Sequence, residues 1–189
     1  MIDLEGGHIH LSYEQGSGGT SLFLTIAEEF LRKGKKIVWL SKNLPDKERT
    51  AQIFEKLENK ELENITFIEI ENDLEESSKI LKYFTKRMMS EDIVFIDDWC
   101  SKDGRAAKKD INALESIVRD TEKTKIIASS TSYQNINNGK NIWESRGGRS
   151  IKDIFKTIFL YRKSEMNNIR IIEDGNSIRE IALVGKGFE

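Results

Sequence analysis

At 189 residues the chain is long enough for one full core and too short for two domains of ordinary size. Hydrophobic residues make up 38% and charged residues 33%, and a single proline among 13 glycines leaves little room for long disordered linkers. Thirty Lys and Arg against 32 Asp and Glu give a formal charge of −2, which excludes a uniformly basic nucleic-acid coat but not a local basic loop. No run approaches the ~18 consecutive apolar residues that a membrane helix requires. The segment MIDLEGGHIH has no basic stretch followed by an apolar one, so no export signal is read there. One cysteine, Cys100, cannot form an internal disulfide; it is expected as filler beside a strand end, and the expected compartment is the cytoplasm.

Short β-type runs alternate with helical patterns. Residues 8–13 (HIHLSY) read as a strand ending in a glycine-rich turn. A helix over 20–33 follows, with Leu22, Ile26 and Phe30 on one stripe, Phe23, Ala27 and Leu31 beside it, and Gly34 as its stop signal. Next come a strand over 36–40 (KIVWL) and a helix from about Asp46, with Pro45 suited to its first turn. Trp39 and Phe54 are expected in the core. Residues 65–70, 93–97 and 125–128 are further strands, with helices near 74–89 and 106–119 between them. This order predicts right-handed crossovers and a mainly parallel sheet covered on both faces. Residues 157–162, 168–173 and 180–184 are short strands with brief turns, which predicts an antiparallel extension of the same sheet. One domain over 1–189 is expected.

The segment Tyr13-Glu-Gln-Gly-Ser-Gly-Gly-Thr-Ser21 lies between the first strand and the first long helix. A helix N-terminus offers free N–H groups and the positive end of the dipole, and glycines let the backbone curl around an anion. Against the pattern G-x-x-x-x-G-K-[ST], Gly18 takes the second glycine and Thr20 the Mg²⁺-holding hydroxyl. Tyr13 stands at the first glycine and Gly19 at the lysine. A glycine-rich turn with no ligand is the competing reading. Residues 93–98 (IVFIDD) are an apolar strand ending in two carboxylates, where an Asp anchors the Mg²⁺ water shell in phosphate-loop proteins or merely caps a turn in others. Both features are expected at the carboxyl edge of the sheet, where open α/β sheets bind ligands.

The C-terminal half extends the pattern. Residues 125–131 (KIIASST), then 147–163 (GGRSIKDIFKTIFLYRK), 168–174 (NIRIIED) and 181–188 (IALVGKGF) follow in order. Together with the glycine-rich turn they resemble the archaeal RadA/RadB branch of the RecA family across almost the whole chain. The resemblance implies an α/β RecA-like P-loop NTPase core, mainly parallel with helices on both faces and an antiparallel C-terminal extension. It implies ATP with Mg²⁺ as cofactor, held by Gly16, Ser17, Gly18, Gly19, Thr20, Ser21 and Asp97, the metal by Thr20 and Asp97. It further implies a role in DNA repair or recombination, with single-stranded DNA or a RecA-like subunit as partner, self-association included.

The departures bear on mechanism. The lysine position is Gly19, the water-orienting glutamate falls near Asn43, and the γ-phosphate-sensing glutamine falls near Thr131. Losing both charge stabilisation and water activation costs several orders of magnitude in rate, at ~10²–10³ per electrostatic donor. A degenerate member that binds nucleotide weakly or not at all is therefore expected. Restoring a lysine at Gly19 is expected to raise nucleotide affinity if the loop is otherwise intact.

His8 and His10 share one strand face, and a solvated or capping pair is expected ahead of a zinc site, which needs four ligands. Residues 131–148 read as a long polar loop, with Lys140, Arg146 and nearby Arg149 against Glu144 giving a local charge of about +2. With Trp143 as a stacking ring, Lys140, Arg146 and Arg149 are the candidate contacts for single-stranded DNA; the competing reading is a merely mobile polar loop. Arg105, Lys108 and Lys109 form a secondary basic cluster after Asp98. Two further functions stand beside the impaired recombinase. One is an active ATPase whose cation comes from Lys42 or a neighbouring subunit's arginine. The other is a regulatory module akin to the circadian-clock or archaellum-accessory branches of the superfamily, acting through protein contacts.

Overall fold

The segment HIHLSY forms β1 (His8–Tyr13), buried almost throughout, and every later element is arranged around it. The computed structural model describes residues 2–121, 123–135, 143–163, 166–175 and 177–189. After β1 come α1 (Gly19–Arg32), β2 (Ile37–Ser41), α2 (Lys47–Ile53), the single turn α3 (Asn59–Leu62), β3 (Ile65–Glu69), α4 (Leu74–Thr85) and β4 (Ile93–Asp97). Then follow α5 (Lys108–Asp120), β5 (Lys125–Thr131), the short strands β6 (Tyr133–Gln134) and β7 (Trp143–Glu144), and α6 (Gly148–Ile154). The chain closes with β8 (Phe155–Arg162), β9 (Ile169–Asp174), β10 (Ser177–Val184) and β11 (Gly187–Phe188).

Nine strands make one sheet in the order β11-β10-β9-β8-β1-β5-β4-β2-β3. From β8 through β3 the pairings are parallel, and β9, β10 and β11 add antiparallel. This is the expected α/β architecture, except that β8, read from sequence as the first strand of the antiparallel extension, runs parallel to β1, and the extension begins at β9. β1 is flanked by β5 and β8, and the chain leaves it to reach β2 two positions beyond β5. A connection of that kind opens a crevice at the carboxyl ends of the strands.

Alternation along each strand divides the core between two faces. Ile9, Leu11, Tyr13, Trp39 and Phe95 meet α1 on one face. Val38, Leu40, Val94, Ile96 and Ala128 meet the helices of the other. At the centre of the first face Trp39 packs against Phe23, Phe67 and Phe95 with ring centroids 5.8, 5.7 and 5.1 Å away. Such offset and edge-on pairs add to the burial of the rings themselves.

Some local readings change. Pro45 precedes the cap of α2, and Asp46 is the cap, its carboxylate accepting from the Arg49 N–H at 2.8 Å. The region 131–148 is not uniformly loop, because β6 and β7 pair as a small ribbon, Tyr133 opposite Glu144 and Gln134 opposite Trp143. Its residues 136–142, with Lys140, lie outside the described residues. Of the histidine pair, His10 is not solvated. His10 is fully buried, and its Nε2 accepts the Trp99 indole N–H at 3.2 Å and sits 3.0 Å from Ser130 Oγ. His8 is half-buried and its Nδ1 accepts the Ile126 N–H at 3.1 Å. An indole nitrogen only donates, so Nε2 of His10 is unprotonated, and burial pushes that imidazole down to about 3.

Candidate functional site

The carboxyl ends of β1, β4 and β5 converge on the N-terminus of α1. The turn after β1 is held from three sides: Glu14 N–H donates to Leu160 O at 2.8 Å, Ser17 N–H to Glu14 O at 2.9 Å, and Arg170 Nε to Ser17 O at 2.9 Å. Gly18 caps α1 in a left-handed conformation (φ 96°), with Leu183 3.1 Å from where a β-carbon would stand. Both facts call for glycine there. The N–H groups of Gly19, Thr20 and Ser21 belong to the first helical turn, so no carbonyl one turn earlier can pair with them. They mark the positive end of the helix dipole.

Thr20 and Asp97 come together, as the spacing of the two motifs requires. Thr20 Oγ1 donates to Asp97 Oδ2 at 2.9 Å, and Ser129 Oγ at the end of β5 donates to Oδ1 at 2.6 Å. Burial, followed by the neighbouring Asp98 charge, pushes the Asp97 carboxyl up to about 6 despite these two donors. Asp98 adopts the left-handed region (φ 55°), a conformation that Asp tolerates better than most residues. Its N–H donates to Ser129 Oγ at 3.0 Å, and its carboxylate receives the Tyr13 hydroxyl and an ion pair from Lys102 at 2.9 Å.

Tyr13 joins the two departures from the phosphate-loop pattern. Its buried ring lies flat against Gly19: a β-carbon at Gly19 would stand 2.7 Å from Tyr13 Cγ and Cδ1. Real β-carbons do not approach ring atoms that closely, so no side chain leaves the helix at position 19 while Tyr13 keeps this position. Burial, and next the Asp98 charge, raise the phenol's pKa, which keeps it a neutral donor. The tyrosine ring thus spans from the β-carbon position of residue 19 to the Asp98 carboxylate.

In front of Thr20 and Asp97 lies a cavity of about 260 Å³, also lined by Ser21, Asn43, Arg49 and Lys102. Arg49 Nε donates to Ser21 Oγ at 3.2 Å, and its guanidinium tips donate to Val184 O at 2.9 Å and Gly185 O at 2.7 Å. The C-terminal hairpin is thereby tied to the loop. Lys102 and Arg49 were not singled out by sequence. Neither was legible: Asp98 and Lys102 meet in a non-helical turn, where a spacing of four carries no signal, and Arg49 reaches the site through α2 packing that no local pattern reveals. Lys42 does not line this cavity. A hydroxyl–carboxylate pair suits a Mg²⁺ water shell, so Thr20 and Asp97 fit the metal. The turn carries no lysine, and at Gly19 the Tyr13 ring leaves no room for one. Among the described residues no three His, Cys, Asp or Glu side chains cluster as a metal site. Cys100 is buried, and burial pushes its thiol up to about 12, which leaves it an inert filler.

The candidate nucleic-acid residues divide. Arg146 is buried: its Nε donates to Thr131 O at 3.0 Å and Thr131 Oγ1 at 3.1 Å, and its tips donate to Gly104 O and Lys102 O. Its guanidinium therefore pins the turn after β4 to the end of β5. Trp143 is half-buried and stacks on Tyr161, centroids 6.3 Å apart. Arg149 is exposed in α6, Arg105 is exposed ahead of α5, and Lys108 and Lys109 are exposed in its first turn.

No protein-family model matches the chain, and no curated protein matches it by sequence. Solved structures do match by shape. A RadB recombinase superposes with a TM-score of 0.70 at 15% identity, covering 97% of this chain and 90% of the other. A DnaB-like replicative helicase, solved for its interactions with primase, superposes with a TM-score of 0.64 at 14% identity. The match covers 96% of this chain and 57% of the helicase. At these identities the likeness establishes the fold alone: the chain has a RecA-like α/β fold.

Proposed function

We propose that this chain is a RecA-like recombinase paralogue whose phosphate loop no longer supports ATP hydrolysis, and that it acts by binding single-stranded DNA or a RecA-like subunit. The contact of the Tyr13 ring with Gly19 carries the reading. A lysine that had merely been lost could return by a single substitution. A loop whose neighbouring ring crowds the β-carbon position of residue 19 resists that return, which supports the reading. Asn43, near which the resemblance puts the water-orienting glutamate, lines the same cavity as Thr20 and Asp97, which supports the loss of a second catalytic group. Gly16, Ser17, Gly18, Gly19, Thr20, Ser21 and Asp97 remain the residues that would hold ATP and Mg²⁺ if either binds. Trp143, Arg149 and Lys140 remain the proposed contacts for single-stranded DNA, with Arg146 as the residue that positions their loop. The nearest test is calorimetric titration of ATP with Mg²⁺, with and without a short single strand. Binding of the strand without ATP hydrolysis supports the reading; binding of neither moves the regulatory, protein-contact role to first place.

Lys102 favours a second reading, an active ATPase with a displaced cation. Its ammonium group reaches the cavity beside Thr20 and Asp97, held by Asp98. If it stands in for the lysine, Lys102→Ala abolishes a measurable hydrolysis. If the parent has none, that reading ends.

A further inference from the structure

Two cations line the cavity in front of Thr20 and Asp97, and they are held differently. Lys102 is paired with Asp98 at 2.9 Å. Arg49 is half-buried, and among the described residues no carboxylate pairs with its side chain. Every acceptor its guanidinium reaches is neutral: Ser21 Oγ at 3.2 Å, Val184 O at 2.9 Å, Gly185 O at 2.7 Å and Gln52 Oε1 at 3.4 Å. The Asp46 carboxylate is used on the Arg49 main-chain N–H, as the cap of α2. The other two carboxylates of the cavity are also engaged, Asp97 by Thr20 and Ser129, Asp98 by Tyr13 and Lys102.

A half-buried charge without a counter-charge is costly, and neutral acceptors return only part of its lost hydration. Ser21 belongs to the first turn of α1, so the guanidinium stands beside N–H groups with no helical partner, at the positive end of the dipole. The helix end and the unpaired arginine thus face one cavity and call for the same kind of ligand, an oxyanion. A planar guanidinium meets phosphate oxygens with a fork of N–H donors, where a lysine offers a point charge.

Resting on the reading of this turn as the place that would hold a nucleotide's phosphates, we propose that Arg49 is the cation that meets them, in place of a lysine on the turn, and that it links bound phosphate to the C-terminal hairpin. Its bonds to Val184 and Gly185 fix the fork before the ligand arrives, which lowers the ordering cost of binding. The hairpin itself packs on the same turn. Leu183 and Phe188 lie 3.1 and 3.4 Å from where a β-carbon of Gly18 would stand, and Phe188 N–H donates to Thr25 Oγ1 at 3.1 Å. An anion that immobilises Arg49 therefore steadies residues 182–189 as well.

The probe is inorganic tripolyphosphate with Mg²⁺, which carries the phosphates without base or sugar. Its binding is titrated by calorimetry while hydrogen exchange is followed over residues 182–189. The parent should bind, and exchange in that segment should slow when the probe is present. Arg49→Gln should weaken binding about tenfold or more, as loss of hydrogen bonds to a charged group does, and abolish the protection. Arg49→Lys keeps the charge without the fork and should fall between the two. Thermal unfolding confirms that each variant folds, and Arg49→Lys carries the test if Arg49→Gln does not. Affinity equal to the parent's in the folded variants overturns the inference, and so does a parent that binds with exchange at 182–189 unchanged. A parent that takes up no tripolyphosphate at millimolar concentration overturns it too, but leaves the proposed function standing, which needs no nucleotide. ATP turnover, or failure to bind a single strand, on the same preparations counts against the proposed function instead.

Discussion

Gly19 lies against the ring of Tyr13 with no room for a β-carbon, and the two are best tested as a pair. Sequence alone suggests that Gly19→Lys would restore nucleotide affinity, but the Tyr13 ring 2.7 Å from the new β-carbon forbids it. The single substitution should destabilise the protein by ~1–3 kcal/mol through overpacking, and ATP affinity should not rise. Combined with Tyr13→Ala it should show a coupling of about 1–2 kcal/mol in its favour in urea unfolding, since contacting residues are non-additive. Strict additivity would mean that the ring moves aside freely. His10 offers a separate test at the same scale. Its folded-state value of about 3 lies below the ordinary 6.5, so the neutral ring stabilises the fold above pH 6.5, and that contribution is lost as pH falls from 6.5 towards 3. Between pH 6.5 and 4.5 it should cost the parent about 2 kcal/mol, a loss that His10→Gln should largely abolish. Equal acid slopes for the two proteins would contradict the neutral, buried assignment.

Among the elements, β1 and β4 were readable to the residue, because a buried parallel strand is a short apolar run bounded by turn residues. The long amphipathic helices were readable to within a few residues for the same kind of reason. The β6–β7 ribbon was not, since two-residue strands carry no period, and β11 is a strand only because it finds Leu183 and Val184 opposite it. At the site, the pairing of Thr20 with Asp97 was legible because both ends of the pattern are in the sequence. The Tyr13–Gly19 contact was not, because it depends on how closely α1 approaches β1. The two arginines of the 131–149 segment look alike in sequence and differ in place. Arg146→Ala strands the Thr131, Lys102 and Gly104 oxygens, and should lower stability by ~1–3 kcal/mol in chemical unfolding. Arg149→Ala should leave stability within about 0.5 kcal/mol and act only on DNA affinity. If the two variants have the same stability, the burial of Arg146 does not matter energetically.

Taken as a whole, the molecule has a RecA-like fold with Thr20 and Asp97 hydrogen-bonded at the strand ends, and the proposed reading adds that its phosphate loop has lost its function. Around the phosphate loop, Arg170, Arg49 and the C-terminal hairpin hold the turn in shape without the lysine. A frame kept rigid in this way suits a binding protein, because the surfaces on its edges stay in fixed relation to one another. Steady-state ATP turnover, measured on the purified protein with Mg²⁺ and with single-stranded DNA present, separates this from an enzyme most directly. Phosphate release indistinguishable from the protein-free blank is expected. Turnover of ~1 s⁻¹ or more that Asp97→Ala abolishes would show that the loop still works without its lysine, and the proposed function would be wrong.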